Sequence, residues 1–93
     1  MKFRSEEEFT THLWNNPDLQ ILEVEDSSKL TRISALPDSL IELYINSCVG
    51  LRSVSALPRS LTHFSVSDCP KFCELAELPN SLIYLSVSRL PKL

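Results

Sequence analysis

The chain has 93 residues, 43% of them apolar, a single Gly and a formal net charge of −3. One packed domain is the expectation at that length, and the composition argues against a disordered chain. No basic stripe is present to meet a phosphate backbone, so no nucleic acid is expected as a partner; no apolar run reaches the ~18 residues of a membrane span, so no membrane is expected either.

The N-terminal stretch MKFRSEEEFTTHLW has acids where a signal peptide has its apolar core. Sec-type export is therefore not expected, and a cytoplasmic site is. Three Cys, an odd number, fit free thiols in a reducing compartment. Ser5 and Glu8 have the spacing of a capping box, and Glu6, Glu7 and Glu8 lie where a helix dipole favours acids. Phe9 and Leu13 share one helical face, and Asn15-Asn16-Pro17 ends the pattern. These residues predict a helix over 5–14 inside a cap of residues 1–18, laid over the first edge of the core. An acidic docking helix is the competing reading.

From there the chain repeats itself. Leu36-Pro37, Leu57-Pro58 and Leu78-Pro79 are each 21 residues apart. Leu40, Leu61 and Leu82 align, as do Leu43, Phe64 and Leu85, then Ile45, Val66 and Val87. Cys48 and Cys69 align with Leu90, and Leu51 and Phe72 with Leu93. One period earlier stand Leu19, Leu22, Val24, Ser27, Leu30 and Ile33, in a unit without the Leu-Pro opening. The units are 19–39, 40–60, 61–81 and a partial 82–93. A fixed period of this kind marks a solenoid, in which no unit can bury its apolar edge alone.

Each unit contains two shorter periods. Leu43 and Ile45 alternate with Glu42, Tyr44 and Asn46, the pattern of a strand buried on one face. Leu51, Val54 and Leu57 are three apart, which suits a 3₁₀ or extended return. The prediction is an N-terminal capping helix, then about four short parallel strands with 3₁₀ or extended return segments. Leu43, Ile45, Phe64, Val66, Leu85 and Val87 are expected to be buried, and Tyr44, Ser65 and Ser86 are not.

The pattern L-x-x-L-x-I/V-x-x-C-x-x-L-x-x-V/L-x-x-L-P over residues 19–93 resembles a leucine-rich repeat. The short unit with Leu-Pro is similar to the repeats of bacterial effector proteins that act inside host cells, and the phrasing SLxxLxVSxCPKx also resembles plant immune-receptor repeats. The chain departs from the family in being short and in having Cys, Ser or Leu where many members have Asn. The resemblance implies a right-handed curved solenoid whose strands line a concave face, and another protein bound on that face. It also implies a route into a host cell other than Sec.

The polar members of the four strands would form that face. One column is Ile21, Glu42, His63 and Tyr84; the next is Glu23, Tyr44, Ser65 and Ser86; the third is Glu25, Asn46, Ser67 and Ser88. Asp26, Ser47, Asp68 and Arg89 follow. The early strands are acidic, and the later ones offer serines bordered by Tyr44, His63, Tyr84 and Arg89. Exposed Tyr and Arg are frequent interface anchors, whereas a solvated sheet face with Tyr kept for strand propensity is the plain alternative. The candidate partner-binding residues are Glu23, Glu25, Glu42, Tyr44, Asn46, His63, Ser65, Tyr84 and Arg89.

Chemistry other than binding finds little support. A Cys–His nucleophile needs the two groups within hydrogen-bond reach, but the register turns Cys69 inward and His63 outward. Cys spacings of four and 21 do not make a metal set with two His. No catalytic residue, metal or cofactor is expected. The expected activity is to bind and occlude another protein, a host protein or an effector enzyme; the alternative is a recognition fragment of a larger receptor or effector. The last strand has no polar cap after it, which leaves self-association, a covering partner or further residues as open readings.

Overall fold

The computed structural model describes residues 2–93. Helix α1 spans Glu6–Asn15, with Ser5 as its N-cap in extended backbone and the Ser5 Oγ accepting the Glu8 N–H at 3.1 Å. Capping satisfies one of the N–H groups that the first turn cannot. At the other end the Asn16 N–H donates to the Leu13 carbonyl, and Pro17 prevents continuation. Phe9 is buried and Leu13 packs against the core, so α1 covers the first edge of the solenoid. Phe3 joins it from outside the helix. Its ring meets Phe9 edge to face at 5.0 Å, and its N–H donates to the buried Ser27 Oγ at 2.8 Å.

Strands β1 (Ile21–Glu25), β3 (Glu42–Asn46), β5 (His63–Ser67) and β7 (Tyr84–Ser88) form one parallel sheet in that order. The register is 21 residues at every step, for example Leu22↔Leu43↔Phe64↔Leu85. The returns are the extended of the two expected forms. Two-residue strands β2 (Arg32–Ile33), β4 (Ser53–Val54) and β6 (Glu74–Leu75) pair in parallel as a second sheet. Tight turns join the two sheets, closed by bonds such as Leu51 N–H to Cys48 O and Leu61 N–H to Pro58 O. The molecule is a solenoid, and Leu30, Ile33, Leu40, Leu43, Ile45, Leu51, Val54, Leu61, Phe64, Val66 and Phe72 fill its interior.

Three features recur from coil to coil with the same period, two of side chains and one of the backbone. Ser39, Ser60 and Ser81 each donate back to the preceding coil, at 2.7 Å to the carbonyls of Leu19, Leu40 and Leu61. Ser27, Cys48 and Cys69 each turn a donor to the carbonyl two residues before, at 3.1, 3.6 and 3.3 Å. The third is conformational. Asp26, Ser47, Asp68 and Arg89 all have φ between 52° and 56°. Their left-handed backbone ends each strand and aims the N–H of the first three at the next coil, as from Ser47 N to Ser67 O at 3.1 Å.

The expectation fails at one place. Leu85 and Val87 are 45% and 42% exposed, not buried, and Leu93 is 54% exposed. Their side chains follow the register, but no coil stacks beyond β7 to cover them. Each coil of a solenoid is covered by its neighbours, and at β7 one neighbour is missing.

Candidate functional site

Alternation puts the odd-numbered residues of β1, and their partners in β3, β5 and β7, on the face opposite the core. The burial patterns are strict alternations of outward and inward residues in the first three strands. The sheet therefore brings Glu23, Glu25, Glu42, Tyr44, Asn46, His63, Ser65 and Tyr84 to one outward face, in the columns that the register dictates. Arg89 lies one residue past β7, in the left-handed row beyond the sheet.

Several of these side chains are held in place by one another. The Tyr44 hydroxyl donates to the Glu42 carboxylate two residues before it on the same strand. That hydrogen bond, with some desolvation and the charges of Glu42, Tyr84 and Glu23, raises the Tyr44 pKa above the ordinary phenol value. Asn46 Oδ1 accepts from Ser67 Oγ at 2.9 Å and from Ser47 Oγ at 3.4 Å, which leaves its NH₂ as the donor for an incoming group. His63 Nδ1 lies 2.9 Å from Thr62 Oγ1, and its ring lies beside that of Tyr84, tilted by 30° with centroids 5.8 Å apart. Arg89 turns sideways to Asp68, 3.3 Å away, and its side chain is 79% exposed.

The face thus has two halves. On β1 and β3, Glu23, Glu25 and Glu42 surround Tyr44. On β5 and β7, Ser65, Ser67, Ser86 and Ser88 leave a low floor beside the His63–Tyr84 pair. Such a surface can read an extended or flat partner by alternate side chains, with carboxylates at one end and hydroxyls at the other. Cys69 is fully buried on the opposite side of the sheet from His63. The Cys69 pKa is raised by the Cys48 side chain and by burial. The three thiols are free, and Cys73 is the exposed one. Among the described residues no three His, Cys, Asp or Glu side chains gather as a metal site. Among the described residues, too, no helix is long and apolar enough to cross a membrane.

The serine ladder and the left-handed row were not anticipated, although both carried a signal. A Ser stands two places after every repeat Pro, and two of the four left-handed positions are Asp, a residue that tolerates that conformation. Compared with known proteins, the chain matches no family model, no curated protein and no solved structure.

Proposed function

We propose that this chain is a protein-binding module of the leucine-rich-repeat kind that acts through the outward face of its four-stranded sheet. It binds another protein and occludes it, without turnover of its own. The observation that carries this reading is the pre-set arrangement of two pairs, Tyr44 with Glu42 and Ser67 with Asn46, whose hydrogen bonds fix the orientation of outward side chains before any partner arrives. Fixed side chains lose less entropy on binding, which is how a small interface gains affinity. By the sequence resemblance, the partner is a host protein or an effector enzyme, met in the cytoplasm of a cell that the module reaches by a route other than Sec. The apolar edge of β7, with Leu85 and Val87 exposed, is a second contact surface suited to self-association.

The test is capture of the partner on immobilised protein, then titration calorimetry on variants. Tyr44→Ala should weaken binding by about 2 kcal/mol or more. Charge reversal at Glu23, Glu25 and Glu42 should chiefly slow association with a basic partner. Arg52→Ala and Lys71→Ala, on the turns and returns, should leave binding unchanged. The proposal fails if those two changes abolish binding and Tyr44→Ala does not.

A further inference from the structure

A second surface lies on the side of the molecule away from the sheet face. Of the three Leu-Pro corners the middle one is the best covered, with Pro58 buried between its neighbours, whereas Pro37 on one side and Pro79 on the other are only half-buried. One period before Leu36 and Pro37 stand Asn15 and Asn16, the end and C-cap of α1. The missing Leu-Pro leaves an open groove of about 650 Å³ between α1 and the first return. Its apolar lining includes Phe9, Leu13, Leu36 and Pro37, and it shares no residue with the outward sheet face.

Two features say what would fill it. Trp14 is 79% exposed and lines the groove, although Leu13 beside it packs against the core. A large aromatic kept in water beside an apolar groove is the kind of residue that anchors an interface. The charged residues lining the groove are Glu6, Asp18 and Asp38 against Arg32 alone. The Glu6 carboxylate is held at the rim by the Thr31 hydroxyl at 2.7 Å. An aromatic face beside carboxylates suits a guanidinium, which can stack on the ring while its N–H groups meet the oxygens. The volume is that of a site taking several side chains.

We propose that this groove binds a short basic-apolar peptide segment of another protein, one with Leu or Phe anchors flanked by Arg. The apolar side chains lie on the Phe9–Leu36–Pro37 floor, and an Arg stacks on Trp14 within reach of Asp18 and Asp38. The site is independent of the sheet face.

Trp14 is the chain's only Trp, so it reports its own surroundings. The probe is the acetylated, amidated pentapeptide Arg-Leu-Phe-Leu-Arg, with Glu-Leu-Phe-Leu-Glu as its charge-reversed counterpart. The first should shift Trp14 emission to shorter wavelength with a saturable curve, and the second should bind about tenfold more weakly or not at all. Asp18→Asn and Asp38→Asn, both at exposed positions, should each weaken the first peptide by about two- to fivefold without changing the melt. Tyr44→Ala should change nothing, so this test stands or falls apart from the sheet-face reading. No emission change at millimolar peptide overturns the proposal. So does equal binding of the two peptides, which would mean apolar adhesion only, and so does a shift that Tyr44→Ala abolishes.

Discussion

Leu43 and Leu85 hold the same place in the second and fourth coils, and the backbone points both inward, yet Leu43 is wholly buried while Leu85 is 45% exposed. Ile45 and Val87 differ in the same way, at 1% and 42%. The lesson is that a repeat position sets a direction, whereas burial needs a neighbour on each side. A solenoid is close to a one-dimensional object, and its stability is mostly a sum over coils and the contacts between adjacent ones. The two inner coils hold the core together, and the outermost one contributes a single interface to it.

The sharpest way to break this comparison is to make the same change in both places. Leu43→Ala should destabilise the fold by about 2–5 kcal/mol, since a sealed cavity replaces a packed side chain. Leu85→Ala should cost about 1 kcal/mol or less, because water already reaches half of it. Urea unfolding of the pair decides the matter; equal losses would mean that β7 is covered in solution, by a second copy or by added chain. The result bears on the proposed self-association as well. Light scattering at high concentration should then show whether the equal loss goes with a dimer.

A second contrast lies in the turns. Gly50, Lys71 and Lys92 share one column, with Lys29 before them. A Cβ on Gly50 would stand 2.2 Å from the Ser28 carbonyl oxygen, a backbone atom that cannot swing away. Gly50→Ala should therefore cost about 1–3 kcal/mol, while Lys71→Ala, at an exposed site, should be nearly neutral. Thermal melts of the two variants are the check. A harmless Gly50→Ala would mean that the first two coils can move apart at this turn.

The serine ladder separates one corner from the next more gently. Ser60 Oγ shares its proton between Asp38 O at 2.6 Å and Leu40 O at 2.7 Å, whereas Ser81 Oγ has Leu61 O alone. Ser60→Ala should cost about 1–2 kcal/mol and Ser81→Ala about 0.5–1, as each leaves backbone oxygens short of a donor. Amide exchange should locate the loosening at the 38–40 corner in the first variant. If both prove silent, water takes over the bonds, and the ladder is a consequence of the fold and not a cause.

Much of this could be read from the chain before its coordinates. The period of 21 with alternation inside it is enough to place Leu22, Leu43 and Phe64 inward and Glu23, Tyr44 and Ser65 outward, because strand geometry allows no other arrangement. The Ser5 cap was equally plain. Phe3 was not, since it lies outside every period; a backbone hydrogen bond to Ser27 anchors it, and its ring packs against Phe9 and His12. The exposure of Leu85 depends on what is absent beside it, and the groove at Trp14 on a corner that one unit lacks. A pattern reading finds what repeats. Sites made by the failure of a repeat become visible only once the coils are stacked.

The smallest predicted effect tests the left-handed row. Ser47 and Arg89 have φ of 56° each, a conformation that costs an L-residue with a Cβ about 1–2 kcal/mol and costs Gly almost nothing. Gly also loosens the unfolded chain, which offsets part of the gain. Ser47→Gly should thus stabilise the protein by about 0.5–1 kcal/mol, even though the same change at an ordinary loop site would weaken it. Arg89→Gly relieves the same strain but gives up the exposed contact with Asp68, worth about 0–1 kcal/mol. It also lies in the outer coil, where local fraying already relaxes the backbone. Its net effect should be close to zero. Matched urea titrations would show the inner substitution moving the midpoint up and the outer one leaving it in place. If Ser47→Gly lowers the midpoint instead, the left-handed turn is not strained, and the coils are closed by their hydrogen bonds alone.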